Sequence, residues 1–144
     1  MRSIFPLYRS QTSLRVRYGE TDKMGYAYYG HYASYFEVAR VEALRQLGIT
    51  YRELEERGIM LPVLEYQVKF FKPAFYDDLL RIETIIPEVP GVRIKFNFET
   101  FNQQGVCLNK AHVTLVFIDM KRNKPCEPPP DFILKMKPYF HPNL

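Results

Sequence analysis

Polar and apolar residues alternate along much of this chain, and the period changes to that of a helix and back. Over residues 12–18 (T-S-L-R-V-R-Y), Leu14 and Val16 alternate with Arg15 and Arg17, the period of a strand with one buried face. Over residues 30–47 the apolar positions are Tyr32, Tyr35, Phe36, Ala39, Ala43, Leu44 and Leu47, spaced three and four apart. That spacing predicts a long helix, with Ser34, Glu42, Arg45 and Gln46 on its other side. Gly48 is suited to end it. Thr50 and Glu53 form a T-x-x-E capping box that starts a second, short helix, and Gly58 closes it.

The two-residue period then returns. Leu64, Tyr66, Val68 and Phe70 alternate with Glu65, Gln67 and Lys69; Leu80 and Ile82 with Arg81 and Glu83. Ile94, Phe96 and Phe98 alternate with Arg93, Lys95, Asn97 and Glu99, and a long run over 106–118 makes the last strand. Turn signals lie at 73–78, 87–91 and 102–105. Long strands joined by short turns predict antiparallel pairing. The first ten residues read as an arm. The proline-rich stretch 124–130 is expected to run extended outside the ladder, and 132–137 to add one helical turn. The order is one strand, a long helix, then four strands, an α+β pattern. One helix covers one face of a five-stranded sheet, so the other face or an edge needs a partner subunit.

Length and charge narrow this picture. The chain has 144 residues, enough for one domain with one core, placed at about 12–120 with a C-terminal tail. Aromatic residues make up 15%, all Phe or Tyr, which suits a sheet core or a subunit interface. The net charge of +4 is compatible with nucleic acid, a membrane surface or a phosphorylated small molecule. Nucleic acid fits least, because the basic residues are spread over strands with no basic run. Cys107 and Cys126 lie in no metal-binding spacing and read as free thiols of a reducing compartment. Neither a signal peptide nor an apolar run long enough to span a membrane is evident, so the expected location is cytoplasmic.

The connection between the first strand and the long helix, Y18-G-E-T-D-K-M-G-Y-A-Y-Y-G-H-Y32, is the densest stretch of candidate chemistry. The pattern Y18-x-E-T-D-x-x-G25-x-x-x-Y29-x-x-Y32, followed by Y35-F-E-x-A-R40, resembles the hotdog-fold acyl-CoA thioesterases, in particular the 4-hydroxybenzoyl-CoA thioesterase group. The segment V68-K-F-F-K-P-A-F-Y-D-D78 is similar to the same group, and the resemblance runs over about 14–119. It implies a curved antiparallel sheet wrapped around one central helix. It also implies a homodimer or homotetramer with sites at the subunit interface, an acyl-CoA substrate and no cofactor.

By the same resemblance Asp22 is the catalytic acid, as nucleophile or general base. The Tyr29 N–H, at the start of the long helix, polarises the thioester carbonyl. Many bacterial relatives carry histidine where this chain has Tyr29; the 4-hydroxybenzoyl branch carries tyrosine. Elementary chemistry points the same way. Thioester hydrolysis needs a nucleophile or an activated water and a place for an oxyanion, and a helix N-terminus offers free N–H groups. Gly25 lets the loop fold back so that an acid on it can face the helix.

Other readings attach to the same residues. Asp22 also suits an Asx-type turn or a helix cap. Glu20 reads as solvated or structural. Tyr26, Tyr28 and Tyr32 line an acyl pocket or merely pack, and Tyr28 is carried as a substrate-binding candidate together with Gly25. His31 contacts substrate or is simply an exposed first-turn histidine. His112 reads as structural, and His141 lies in the tail; three scattered histidines make no metal site. Glu37 is a rival catalytic acid on the helix, or a carboxylate paired with Arg40 or Arg17. Among the basic residues, Lys72 and Arg93 are the candidates for the coenzyme A phosphates. Two further functions share this architecture. A hydratase or dehydratase would need a histidine paired with an acid, and Tyr29 counts against it. A non-catalytic acyl-thioester-binding module would lack a competent acid, and Asp22 with Gly25 counts against that.

Overall fold

The computed structural model describes residues 7–140. The chain begins with β1 (Tyr8–Arg15), which pairs antiparallel with β4 (Leu79–Ile86), with Arg15 opposite Leu79. The strand starts within the expected arm and ends before Tyr18. Its inward residues are Tyr8 and Ser10, and Tyr8 donates its hydroxyl to the Ala43 carbonyl at 2.7 Å. Polar residues here serve as core anchors, so alternation of apolar residues marks only the strand's end. The remaining arm, 1–6, lies outside the described residues.

A 3-10 turn (Tyr18–Glu20) and a second one (Tyr29–His31) bracket the Asp22 loop, and the second runs directly into α1 (Tyr32–Gln46). Helix α1 buries Tyr32, Tyr35, Phe36, Ala39, Ala43 and Leu44, the stripe its sequence predicts, and also Arg40. Gly48 follows it at φ +83°, where a side chain would be strained. Helix α2 (Tyr51–Glu56) is capped by Thr50, whose hydroxyl accepts the Glu53 N–H at 3.2 Å.

After a short strand β2 (Ile59–Met60) come β3 (Val63–Phe70), then β4, β5 (Arg93–Phe101) and β6 (Cys107–Val116). The sheet order is β1-β4-β5-β6-β3, antiparallel throughout. Its inner face presents Ile82, Ile94, Phe96, Phe98, Val113 and Leu115 to α1. Phe36 of α1 stacks on Phe98 with centroids 4.8 Å apart, so the helix sits in the cup of the sheet. This is the arrangement that the resemblance implies. Strand β3 keeps its two-residue alternation, yet most of it is exposed on both faces, because no strand pairs with its outer edge among the described residues.

The C-terminal segment departs from expectation. Strand β7 (Ile118–Asp119) joins β2 on one side and β8 (Lys124–Pro125) on the other, so part of the proline-rich stretch does enter a ladder. Pro125 is tolerated because β8 is an edge strand that need not donate there. The expected single turn is a full helix, α3 (Pro130–Phe140), with Pro130 at its first position, where no N–H is needed. It buries Phe132, Met136 and Phe140, and Phe132 meets Phe117 edge to face at 5.3 Å. The tail is thus part of the core rather than an appendage. His141 lies outside the described residues. Among the described residues no helix is long and apolar enough to cross a membrane.

Candidate active site

The Asp22 loop is built on two short crossings. The Asp22 N–H donates to the Tyr26 carbonyl at 2.9 Å, and the Gly25 N–H donates to the Asp22 carbonyl at 3.0 Å. Gly25 sits at φ +81°, the left-handed conformation that closes the turn and that other residues adopt only with strain. Single bridges then tie Thr21 to Ala27 and Tyr26 to Phe75. The loop is therefore clamped between the end of β1 and the turn after β3.

Asp22 uses one carboxylate oxygen to hold this turn. Its Oδ1 accepts the N–H of Met24 at 2.9 Å and of Tyr26 at 3.2 Å, an Asx-type arrangement. Oδ2 has no hydrogen-bond partner among the described residues. The side chain borders an open cavity of about 260 Å³. Met24, Tyr26 and Ala27 of the loop line it with Asp22; Tyr29 and Tyr32 come from the helix start. Phe70, Phe71, Lys72 and Pro73 close the far side from the end of β3.

The structural and the chemical readings of Asp22 are thus compatible, since each has its own oxygen. Tyr29 opens the turn that leads into α1 and is 66% exposed. The N–H groups of Tyr29 and Gly30 donate to no backbone carbonyl among the described residues, as the first turn of a helix requires.

The cavity gathers Asp22, Tyr29 and Lys72 of the sequence candidates. Tyr26 and Tyr32 line it too, but Tyr28 does not. The Tyr28 ring folds back over Gly30, so closely that a Cβ there would come within 2.5 Å of it. It packs at a tilt against Tyr29 (4.6 Å) and edge to face against His31 (5.8 Å), which leaves His31 on that outer cluster. Arg93 begins β5 at the opposite end of the sheet, roughly 25 Å along the strand from the Asp22 end at about 3.3 Å per residue. Phe70 and Phe71 were not singled out from the sequence, although the segment V68-K-F-F-K-P that contains them was.

Burial pushes the Tyr32 phenol up to about 12, so it stands in the cavity wall as a neutral group. Glu20 is structural. Its carboxylate accepts from the Arg17 N–H (2.8 Å), the Arg17 guanidinium (3.0 Å) and the Tyr35 hydroxyl (2.9 Å). Arg17 is therefore committed to Glu20 and not to Glu37. Glu37 is exposed on α1 and forms no ion pair among the described residues. His112 is also structural, held between Asn97 and Thr114 at 2.8 Å on each side. Cys107 and Cys126 are free thiols.

A five-stranded antiparallel sheet cupped around one helix is the hotdog fold of the thioesterases that this chain resembles. The family model for the Thioesterase-like superfamily matches residues 16–135, and the chain belongs to that superfamily. The acyl-CoA thioesterase YbgC of Haemophilus influenzae is 34% identical over 129 residues, covering 89% of this chain and 91% of its own. The DHNA-CoA thioesterase of Staphylococcus aureus superposes with a TM-score of 0.79 at 31% identity, covering 94% of this chain and 85% of that one. A 4-hydroxybenzoyl CoA thioesterase, crystallised as an Asp-to-Asn mutant complexed with 4-hydroxybenzoyl CoA, superposes with a TM-score of 0.80 at 25% identity. That match covers 90% of this chain and 99% of the other.

Proposed function

We propose that this chain hydrolyses acyl-CoA thioesters to a free carboxylate and coenzyme A, with Asp22 as nucleophile or general base. One observation carries the reading. Asp22 is fixed through Oδ1 by two backbone N–H groups, while Oδ2 is left without a partner beside a cavity that also borders the helix start. A carboxylate held this way is aimed without being neutralised.

As base, Asp22 takes a proton from water as the water oxygen attacks the thioester carbonyl. As nucleophile, Oδ2 attacks directly and water later cleaves the mixed anhydride. Either way the C–S bond breaks, the thiolate leaves and takes up a proton, and the acyl group departs as a carboxylate. The free N–H groups at Tyr29 and Gly30 are suited to hold the oxyanion. Met24, Tyr26, Tyr32, Phe70 and Phe71 offer the acyl group an apolar lining, and Lys72 offers a charge to coenzyme A. The relatives' names support an acyl-CoA substrate.

The outer edge of β3 supports a homodimer joined sheet to sheet, because it leaves backbone groups and Val63, Leu64 and Tyr66 uncovered. The test is a panel of aromatic and aliphatic acyl-CoAs with thiol detection. Release of coenzyme A from at least one, abolished in Asp22→Asn, is expected. Wild-type protein inert on the whole panel would refute the reading. Single-turnover hydrolysis in ¹⁸O-water then separates the two mechanisms: label entering Asp22 marks the nucleophilic route.

A further inference from the structure

Arg40 faces inward from α1 and is only 8% exposed. Its Nε is buried without a hydrogen-bond partner, and it forms no ion pair among the described residues. The Tyr51 hydroxyl is buried beside it; burial raises that phenol, and the Arg40 charge acts against the rise. Only Nε is wholly enclosed, and the rest of the guanidinium borders an open groove. One buried donor of Arg40 is thus left open to a partner.

The surroundings say what would complete it. Arg40 lines a groove of about 270 Å³ between α1 and β3, with Ser34, Phe36, Glu37, Val63 and Tyr66. Glu37 stands one turn earlier on the same helix, exposed and unpaired. An acid and a cation three residues apart, neither with an ion-pair partner among the described residues, make a self-complementary surface. A twofold axis passing midway between them sets α1 antiparallel to its copy, so each acid meets the other's cation. The rise between the two residues is about 4.5 Å at 1.5 Å per residue, a span both side chains bridge easily.

We propose that a second copy of this chain occupies the groove, with Glu37 of each copy paired to Arg40 of the other. The inference rests on the homodimer reading above and goes beyond it by naming the contact that sets its register. Backbone pairing along β3 alone would tolerate slips by two residues, because its exposed face is apolar at several positions. Two reciprocal ion pairs permit one register only. That register matters for the site, because the groove and the Asp22 cavity share a wall. Tyr32 meets Phe36 at 5.9 Å and Phe70 at 5.4 Å, and Phe36 meets Tyr66 at 6.2 Å.

Mixing two single variants tests the pairing. Glu37→Gln subunits keep Arg40, and Arg40→Met subunits keep Glu37. A mixed dimer retains one crossed pair; each parent dimer retains none, and no subunit holds both partners. After subunit exchange, native mass spectrometry should show mixed dimer well above the statistical half, and each parent should dissociate at least about tenfold more readily than wild type. The charge-swapped variant Glu37→Arg/Arg40→Glu should recover to within about threefold of wild type. If Arg40→Met does not fold, Arg40→Gln replaces it in the same mixture. Wild type that is dimeric, with mixed dimer at the statistical half, would overturn the pairing and leave the dimer standing. Wild type that is monomeric at micromolar concentration would remove both.

Discussion

Tyr35 of α1 donates its hydroxyl to Oε1 of Glu20 at 2.9 Å, so the central helix grips the loop that carries Asp22. The Glu20 carbonyl also accepts the Tyr28 N–H at 2.8 Å, which fixes the far end of that loop to its beginning. Burial acts to raise the Glu20 carboxyl. The hydrogen bonds from Arg17 and Tyr35 outweigh it and hold the group below the usual carboxylate range. A depressed folded-state value stabilises the protein above the unfolded value of about 4.3, and that contribution is lost as pH falls through the folded value. Stability of the wild type should therefore begin to drop as pH falls below about 4.3 and go on dropping until Glu20 is protonated in the folded protein. Glu20→Gln should flatten that slope in urea melts taken across the range; an unchanged slope would mean that other carboxylates set it.

Asp22→Asn keeps the size of the side chain and an oxygen for the turn, but removes the negative charge. It should lower kcat by roughly 10²-fold or more, the scale for a positioned acid–base group, with Tm near wild type. Glu37→Gln, assayed at a protein concentration that preserves the dimer, should stay within about threefold of wild type in kcat, well short of losing such a group. The reverse pattern, with both variants folded, would put the base on the helix.

Lys72 borders the cavity but holds no turn through its side chain. Lys72→Met should raise KM for acyl-CoA roughly fivefold with kcat little changed, the scale of about 1 kcal/mol for an exposed charge contact. The salt dependence of KM should weaken in the same variant. A fall in kcat with unchanged KM would assign the lysine to the chemistry instead.

Helix α3 lends itself to a stability test, since Phe132 is 1% exposed against Phe117. Phe132→Ala should cost about 3–5 kcal/mol, read from denaturant midpoints at constant m. A cost below about 1 kcal/mol would show that the helix docks only loosely.

Much of this fold could be read from periodicity alone. Helix α1 and strands β4 to β6 bury one side, so their apolar residues recur at the matching interval. What escaped was structure whose inward groups are polar or whose pattern is interrupted. Tyr8 and Ser10 anchor β1 through hydroxyl contacts, to the Ala43 carbonyl and to Gln46 Oε1, and no apolar alternation marks them. In α3 the spacing of four from Phe132 to Met136 to Phe140 is present, but the prolines on either side limit the expected helix to one turn over 132–137. At the candidate site, the motif points to Asp22 and Tyr29, and both border the cavity. Nothing local foretold that the Tyr28 ring would fold onto Gly30 and turn away from the cavity, because that depends on where the neighbouring rings settle.

Strand β1 leaves the ribosome well before its mate β4, with the Asp22 loop, both helices and β3 made in between. The Asp22 loop waits with it, since it leans on Ala74 and Phe75. During synthesis the chain thus passes through an interval in which α1, already apolar on one side, has no sheet to enclose it. Arrested nascent chains that stop before β4 should be protease-sensitive throughout, and chains extended past β6 should protect β1 and α1 together. Until the sheet strands emerge, the apolar stripe of α1 is a surface on which neighbouring unfinished chains can associate.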